Sequence, residues 1–176
     1  VYDRGQRRYS HLTFALRGKR MNDFIIENGI LIKYIGNDRN IVIPDEVTEI
    51  EESAFYSCPT IITVKLHDKL TKIGDSAFSD CASLEKINIP DSVCYLGAYA
   101  FYDCTALTTA SFPNVTSIGI FAFYDCTSLT TVSFPIATSI GSYAFQYCSS
   151  LTTASFPNVT SIGSSAFFSC RSLTTV

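Results

Sequence analysis

Residues Leu84 to Cys104 read LEKINIPDSVCYLGAYAFYDC, and the same order of residue types returns along the chain. The pair Ala-Phe recurs with its ring at Phe55, Phe78, Phe101, Phe123, Phe145 and Phe167, at spacings of 23, 23, 22, 22 and 22 residues. A Cys stands three positions after each Phe, at Cys58, Cys81, Cys104, Cys126, Cys148 and Cys170. Ile61, Leu84, Leu107, Leu129, Leu151 and Leu173 follow three positions later. Pro44, Pro90, Pro113, Pro135 and Pro157 form a further column, which His67 fills once. The 22-residue units lose one position between the Pro and the Gly, as in PNVTSIG from Pro113 to Gly119. A phase held over six such units is the signature of a solenoid. Each unit is too small to bury its own apolar face, and stacked units share one core.

Within a unit the local chemistry predicts the path of the chain. Side chains alternate from Leu84 to Ile89, as a strand requires, with Ile87 and Ile89 inward and Lys86 and Asn88 outward. Pro90 ends the strand because it has no N–H for a ladder. Val93 and Leu96 return the chain to the core, and Gly97 is expected in a tight turn at positive φ. Ala100 and Phe101 are expected in a short helical turn, with the ring packed inward. Strands are predicted at 41–43, 62–66, 85–89, 108–112, 130–134, 152–156 and 174–176. The predicted class is therefore an α/β repeat solenoid of leucine-rich repeat type. It is right-handed, with short parallel strands on a concave face, short helical turns on a convex face and a β-hairpin cap at the N-terminus.

The pattern IPxxVxxIGxxAFxxCxxL, present as IPDSVCYLGAYAFYDCTAL from Ile89 to Leu107, resembles the BspA-like class of leucine-rich repeats. The resemblance covers residues 41–176. It implies a surface-exposed or secreted protein with adhesion or protein binding as its usual role, and not an enzyme. The departures are Glu51 for Gly, His67 for Pro and Ile61 for Leu. All lie in the first two units, where solenoids are commonly atypical.

Outside the repeats, FIIENGILIKY at 24–34 places Asn28-Gly29 between apolar-rich arms, a strong signal for a type I′ hairpin. The predicted organisation is a basic arm at 1–22, a hairpin cap at 23–40 and a solenoid of about six repeats at 41–176. The arm carries Arg4, Arg7, Arg8, Arg17, Lys19 and Arg20 against Asp3 alone. It is expected either to be disordered or to be an addition preceding a natural start at Met21, with YSHLTFALR at 9–17 as an alternative extra strand. No apolar segment of signal-peptide or membrane-helix length is present. The last unit stops at Val176 in mid-strand. A longer array, or self-association through that uncapped end, is expected there.

Composition bounds the function. The chain is 47% hydrophobic and 16% charged, with a net charge of −3, which excludes a disordered chain and a binder that works by overall basicity. From Thr105 to Val176 there are 27 Ser and Thr in 72 residues, and the only charges are Asp125 and Arg171. GxSxG, HExxH, P-loop and GxGxxG patterns are missing, and His11 and His67 have no partnered nucleophile. No catalytic residue, metal site or cofactor is therefore expected. The Cys column lacks CxxC zinc spacing and sits among core positions, so free, buried thiols are expected, with Cys94, off the column, a turn residue in preference to a reactive thiol. Asp80, Asp103 and Asp125 stack at equivalent positions, where a surface role outweighs weak cation binding. Asn114 and Asn158 each open an Asn-x-Thr sequon.

Two surfaces remain as candidate sites. The first is the outward strand face, expected to bind protein through Lys86, Asn88, Thr109, Ser111, Thr131, Ser133, Thr153 and Ser155. Its bland counterpart is that Thr is simply a good solvated strand residue. The second is an aromatic row beside the core Phe column, with contacts expected at Tyr102, Tyr124 and Phe168. The expected function is a non-enzymatic protein-binding or adhesion module of a surface or secreted protein, with a host matrix or surface protein as partner. An intracellular scaffold or spacer is the alternative. No nucleic acid partner and no membrane span are expected.

Overall fold

The computed structural model describes residues 19–21 and 23–175. The basic arm up to 18, its alternative strand at 9–17, Asn22 and Val176 lie outside the described residues. Three strands precede the repeats: β1 (Lys19–Met21), β2 (Phe24–Glu27) and β3 (Ile30–Tyr34). β1 and β3 flank β2, both antiparallel. The turn between β2 and β3 has Asn28 at φ 50° and Gly29 at φ 78°, the two positive values a type I′ turn needs.

Each repeat then contributes two short strands. The first set is β4 (Asn40–Val42), β6 (Thr63–Lys65), β8 (Lys86–Asn88), β10 (Thr109–Ser111), β12 (Thr131–Ser133) and β14 (Thr153–Ser155). The second set is β5 (Glu49–Ile50), β7 (Lys72–Ile73), β9 (Tyr95–Leu96), β11 (Ser117–Ile118), β13 (Ser139–Ile140) and β15 (Ser161–Ile162). All pair in parallel with the equivalent strand one repeat away, in register, so Thr109, Thr131 and Thr153 stand side by side. The second set was not expected from the sequence. At two residues per strand it is too short to show a period. Its first member, β5, pairs with β3, which joins the hairpin to the solenoid as one sheet.

The expected helical turns are absent, and this corrects the fold class: the described residues form a β-solenoid of about six turns with no helix. The cause lies in the backbone around Ala-Phe. Two residues four apart take positive φ in every repeat: Ser53 and Ser57, Ser76 and Asp80, Tyr99 and Asp103, Phe121 and Asp125, Tyr143 and Tyr147, Ser165 and Ser169. Alternate N–H groups then point along the solenoid axis. Tyr99, Phe101 and Asp103 donate to the carbonyls of Ile120, Ala122 and Tyr124 at 2.8–2.9 Å, and the same triplet recurs between the other neighbouring repeats. An α-helix would need each of those N–H groups for its own chain four residues back. This segment thus makes a third side of inter-repeat bonds instead of a helix.

Gly97 also departs from expectation. The only described glycine with positive φ is Gly29. The repeat glycines serve close approach: a Cβ on Gly119 would lie 2.8 Å from the Ala98 backbone, and one on Gly141 2.6 Å from Ile120 N.

The interior is a set of continuous files. Rings of Tyr34, Phe55, Phe78, Phe101, Phe123, Phe145 and Phe167 stack at centroid separations of 4.8–5.4 Å. A second file, Phe112, Phe134 and Phe156, meets the first edge-on or tilted in the 22-residue repeats. Edge-to-face and offset contacts suit the ring quadrupoles. Both strand ladders are interrupted at one boundary, between β8 and β10 and between β9 and β11. β8 and β10 are still 23 residues apart and β9 and β11 22 apart, since the residue is lost after β10, between Pro113 and Gly119; the Phe stack and the Ala-Phe bonds run through unbroken.

Phe123 is fully buried between Phe101 and Phe145. Phe123→Ala is expected to cost about 3–5 kcal/mol in denaturant unfolding, whereas Phe168→Ala, on the exterior, should stay within about 0.5 kcal/mol. Equal losses at the two positions would contradict this assignment of the core.

Candidate functional site

On the first-strand face, alternation separates two uses of hydroxyl groups. The first Thr of each Thr-Thr pair is structural. Thr108 donates to the Glu85 carbonyl at 3.2 Å, Thr130 to Thr108 at 3.0 Å, Thr152 to Thr130 at 3.1 Å and Thr174 to Thr152 at 3.1 Å. The second Thr points outward. Thr109, Thr131 and Thr153 are exposed, and among the described residues they make no side-chain hydrogen bond. Ser111 and Ser155 are exposed and Ser133 half-buried in the same lattice. In-register pairing sets these hydroxyls at strand spacing, roughly 4.8 Å between neighbours. Lys86 is exposed. Asn88 is exposed too, but its amide is tied to the Leu66 backbone, accepting from N at 3.1 Å and donating to O at 3.4 Å.

The Ala-Phe side carries the aromatic surface. Tyr102 and Tyr124 lie face to face at 4.8 Å with an interplanar angle of 1°. Tyr147 meets Tyr124 edge-on at 5.4 Å, and Phe168 meets Tyr147 edge-on at 5.9 Å. Phe168 is 55% exposed and Tyr147 38%. A second row was missed in the sequence: Tyr99, Phe121 and Tyr143 stack at 4.9 and 4.7 Å and pack obliquely on the first. Its signal was available, an aromatic residue two positions before each core Phe in three successive repeats. These three rings and Tyr147 occupy positive-φ positions, where other repeats place Ser or Asp. Bulky residues are uncommon in that region, and strain of this kind gathers at functional surfaces.

Asp80, Asp103 and Asp125 have the same backbone reason, with φ of 59°, 55° and 55°. Aspartate tolerates that conformation better than most residues, which explains the file without a bound cation. Burial pushes the Asp125 carboxyl above its usual range. Burial also raises Asp103, with the neighbouring Asp125 and Asp80 charges adding to it. Asn114 and Asn158, the two sequon residues, donate their amides to the carbonyls of Asp91 and Pro135 at 2.7 and 2.6 Å, so both clamp one repeat to the one before.

Residues 26–138 and 138–176 match the BspA type leucine rich repeat region, in six copies. No curated protein matches. Among solved structures, the leucine-rich repeat protein of T. pallidum is 26% identical, covers 82% of both chains and superposes with a TM-score of 0.69. A leucine-rich cell surface protein of Faecalibacterium prausnitzii is 28% identical over 92% of this chain, with a TM-score of 0.66. This chain spans about half of that one, 54%. The pneumococcal vaccine antigen PcpA is 23% identical over 74% of this chain and 34% of its own, with a TM-score of 0.60, a likeness of fold. No helix among the described residues is long and apolar enough to cross a membrane.

The Cys column faces inward, unlike either surface. All seven cysteines are free. Cys81, Cys104, Cys126 and Cys148 are buried, and Cys58 and Cys170 half-buried. From Cys81 onward each column thiol donates to the carbonyl of the core Phe one repeat before, as Cys126 does to Phe101 at 3.1 Å and Cys148 to Phe123 at 3.0 Å. Burial pushes Cys81 up to about 12 and Cys170 up to about 11, and raises Cys104, Cys126 and Cys148 strongly. Cys94 belongs to a different file: its exposed thiol points at the Thr71 carbonyl, 3.6 Å away, where Thr71 and Thr138 use hydroxyls in the same way.

Thiolate is the reactive form, so iodoacetamide at pH 8 is expected to modify Cys94 first and the four buried thiols only after unfolding. Because the folded state holds these protons more tightly than the unfolded chain, stability is full below pH 9 and declines as pH rises beyond about 9. A melting temperature unchanged from pH 8 to pH 10.5 would refute that linkage.

Proposed function

The chain belongs to the BspA type leucine-rich repeat family, and from that premise we propose that it is a non-enzymatic adhesion or protein-binding module of a surface-exposed or secreted protein. The strand face is its main contact surface, and the aromatic row through Tyr102, Tyr124 and Phe168 is a second. The observation that carries this reading is the division of labour among the hydroxyls. Thr108, Thr130 and Thr152 are spent on holding repeats together, while Thr109, Thr131, Thr153, Ser111 and Ser155 are presented outward in register with their hydrogen-bonding capacity free. Such a lattice offers repeated donors and acceptors at low cost, since β-branched Thr has little rotamer freedom to lose on binding. Surface placement is supported by the Faecalibacterium relative, described as a cell surface protein, and by the fold shared with a pneumococcal antigen. The partner class is a protein of the host matrix or host surface.

A double substitution, Thr131→Lys with Thr153→Lys, changes two exposed side chains and should leave folding intact. Surface plasmon resonance against a panel of purified extracellular-matrix proteins is expected to show binding by the wild type. The double variant should weaken it about tenfold or more, as the loss of central interface contacts generally does. Equal binding by both proteins would sink the strand-face assignment. Resistance of the protein to protease added to intact cells would sink its surface placement and favour an intracellular scaffold.

A further inference from the structure

The stretch from Thr105 to Val176 has one acid and one base, Asp125 and Arg171, 46 positions apart in sequence. The coil brings them to one place. Both line a shallow cavity of about 380 Å³ on the aromatic side, with Tyr124, Tyr147, Thr127, Ser149 and Ser169 as the remaining walls. The volume is at the lower end of the roughly 300–1,000 Å³ of small-molecule sites. Among the described residues Asp125 and Arg171 are not joined in an ion pair; the one ion pair is Lys72 with Glu49. Their charges therefore remain available to a ligand, and together they sum to zero.

The lining is unusual for a solenoid exterior in three respects. Tyr124 and Tyr147 both line it, edge to face at 5.4 Å, and the Tyr147 ring is exposed. Tyr147 holds φ 64°, a strained value for an aromatic residue, at the position where the next repeat has Ser169 at φ 62°. Three aliphatic hydroxyls and two phenols ring a single carboxylate and a single guanidinium; of these, Thr127 already donates to the Thr105 carbonyl at 3.4 Å and is left as an acceptor.

We propose that this cavity is a binding site for a neutral saccharide unit, a function beyond the protein-binding strand face. A pyranose ring is amphiphilic: its axial C–H groups form an apolar face, and its edge is a row of hydroxyls that donate and accept. The apolar face rests on the exposed ring of Tyr147, which stands at 83° to Tyr124, while Tyr124, stacked on Tyr102, walls the side of the cavity. The Asp125 carboxylate accepts from two adjacent sugar hydroxyls, and the Arg171 guanidinium donates to ring or hydroxyl oxygens, charge-assisted bonds stronger than neutral ones. Thr127, Ser149 and Ser169 complete the hydroxyl rim. A charged ligand is disfavoured because the two charges cancel. A zwitterionic amino acid would match the charge pair but would leave both rings and most hydroxyls unused.

The test uses the whole chain and four probes: maltotriose, cellotriose, triacetylchitotriose and lactose, with free glycine and alanine as the zwitterionic control. Titration calorimetry gives affinities, and the part of any tyrosine emission change that is lost in Tyr147→Ser reports on the site among the ten tyrosines of the chain. At least one saccharide is expected to bind with a Kd on the order of 1 mM or tighter. Asp125→Asn and Arg171→Gln should each weaken it about fivefold or more, the usual effect of losing a charge-assisted bond. Tyr147→Ser installs the residue found at Ser169 in the same backbone state, so the fold survives, and its loss should be about tenfold or more. The Thr131→Lys, Thr153→Lys variant should bind saccharide as the wild type does, which separates this site from the strand face. Absence of binding to all four saccharides, affinity indifferent to all three cavity substitutions, or binding of the amino acids in place of the saccharides overturns the proposal.

Discussion

The structure depends on main-chain hydrogen bonds between consecutive repeats on three sides of the coil. Two sides are short parallel ladders, in which each strand has two or three residues. The third is the Ala-Phe segment, whose alternate N–H groups reach the next repeat because residues four apart adopt positive φ. An unpaired buried N–H is costly, so a chain that cannot close these groups internally must stack. Stacking then brings the Phe rings to 4.8–5.4 Å and buries the thiols against the carbonyls of the preceding repeat. Hydrogen bonding and ring packing are therefore one constraint: each fixes the spacing that the other needs.

Interruption of the ladders at a single boundary shows which part of this constraint dominates. Where 23-residue units give way to 22-residue units, one residue is lost from the corner between the Pro and Gly columns. Both strand sides lose their pairing there, at β8 to β10 and β9 to β11, while the Phe stack and the Ala-Phe bonds continue. The ring file and the left-handed residues around it run across the boundary at which both strand ladders stop.

The same economy governs the exterior. Repetition makes every surface feature a file, and most polar side chains in those files bridge repeats, as Thr130, Thr138 and Asn158 do. The features that do not bridge repeats are the outward hydroxyls of the strand face and the aromatic rows beside Asp125 and Arg171. Positive φ at Tyr99, Phe121, Tyr143 and Tyr147 is a local cost that Ser or Asp would reduce.

Much was legible in the sequence. The period, the inward columns of Phe, Leu and Cys and the parallel register follow from residue spacing, because a solenoid maps one repeat onto the next and core identity survives the mapping, while the family was legible as a resemblance of the repeat pattern. The outward hydroxyls of Thr109, Thr131 and Thr153 followed from strand alternation. Besides the two-residue strands of the second set, three things were not legible. Ala100-Phe101 looks helical by propensity, and only the neighbouring repeat, by taking the N–H groups, forces the left-handed residues that exclude a helix. Gly97 and Gly119 look like turn residues, yet the backbone of the adjacent repeat is what leaves no room for a Cβ. Asp125 and Arg171 are isolated charges in a linear reading, and only two turns of the coil place them on one cavity with Tyr124 and Tyr147. The linear order thus determined what repeats and what is buried. The stacked structure decided backbone conformation and the meeting of distant side chains, since both depend on contacts between repeats that no single repeat contains.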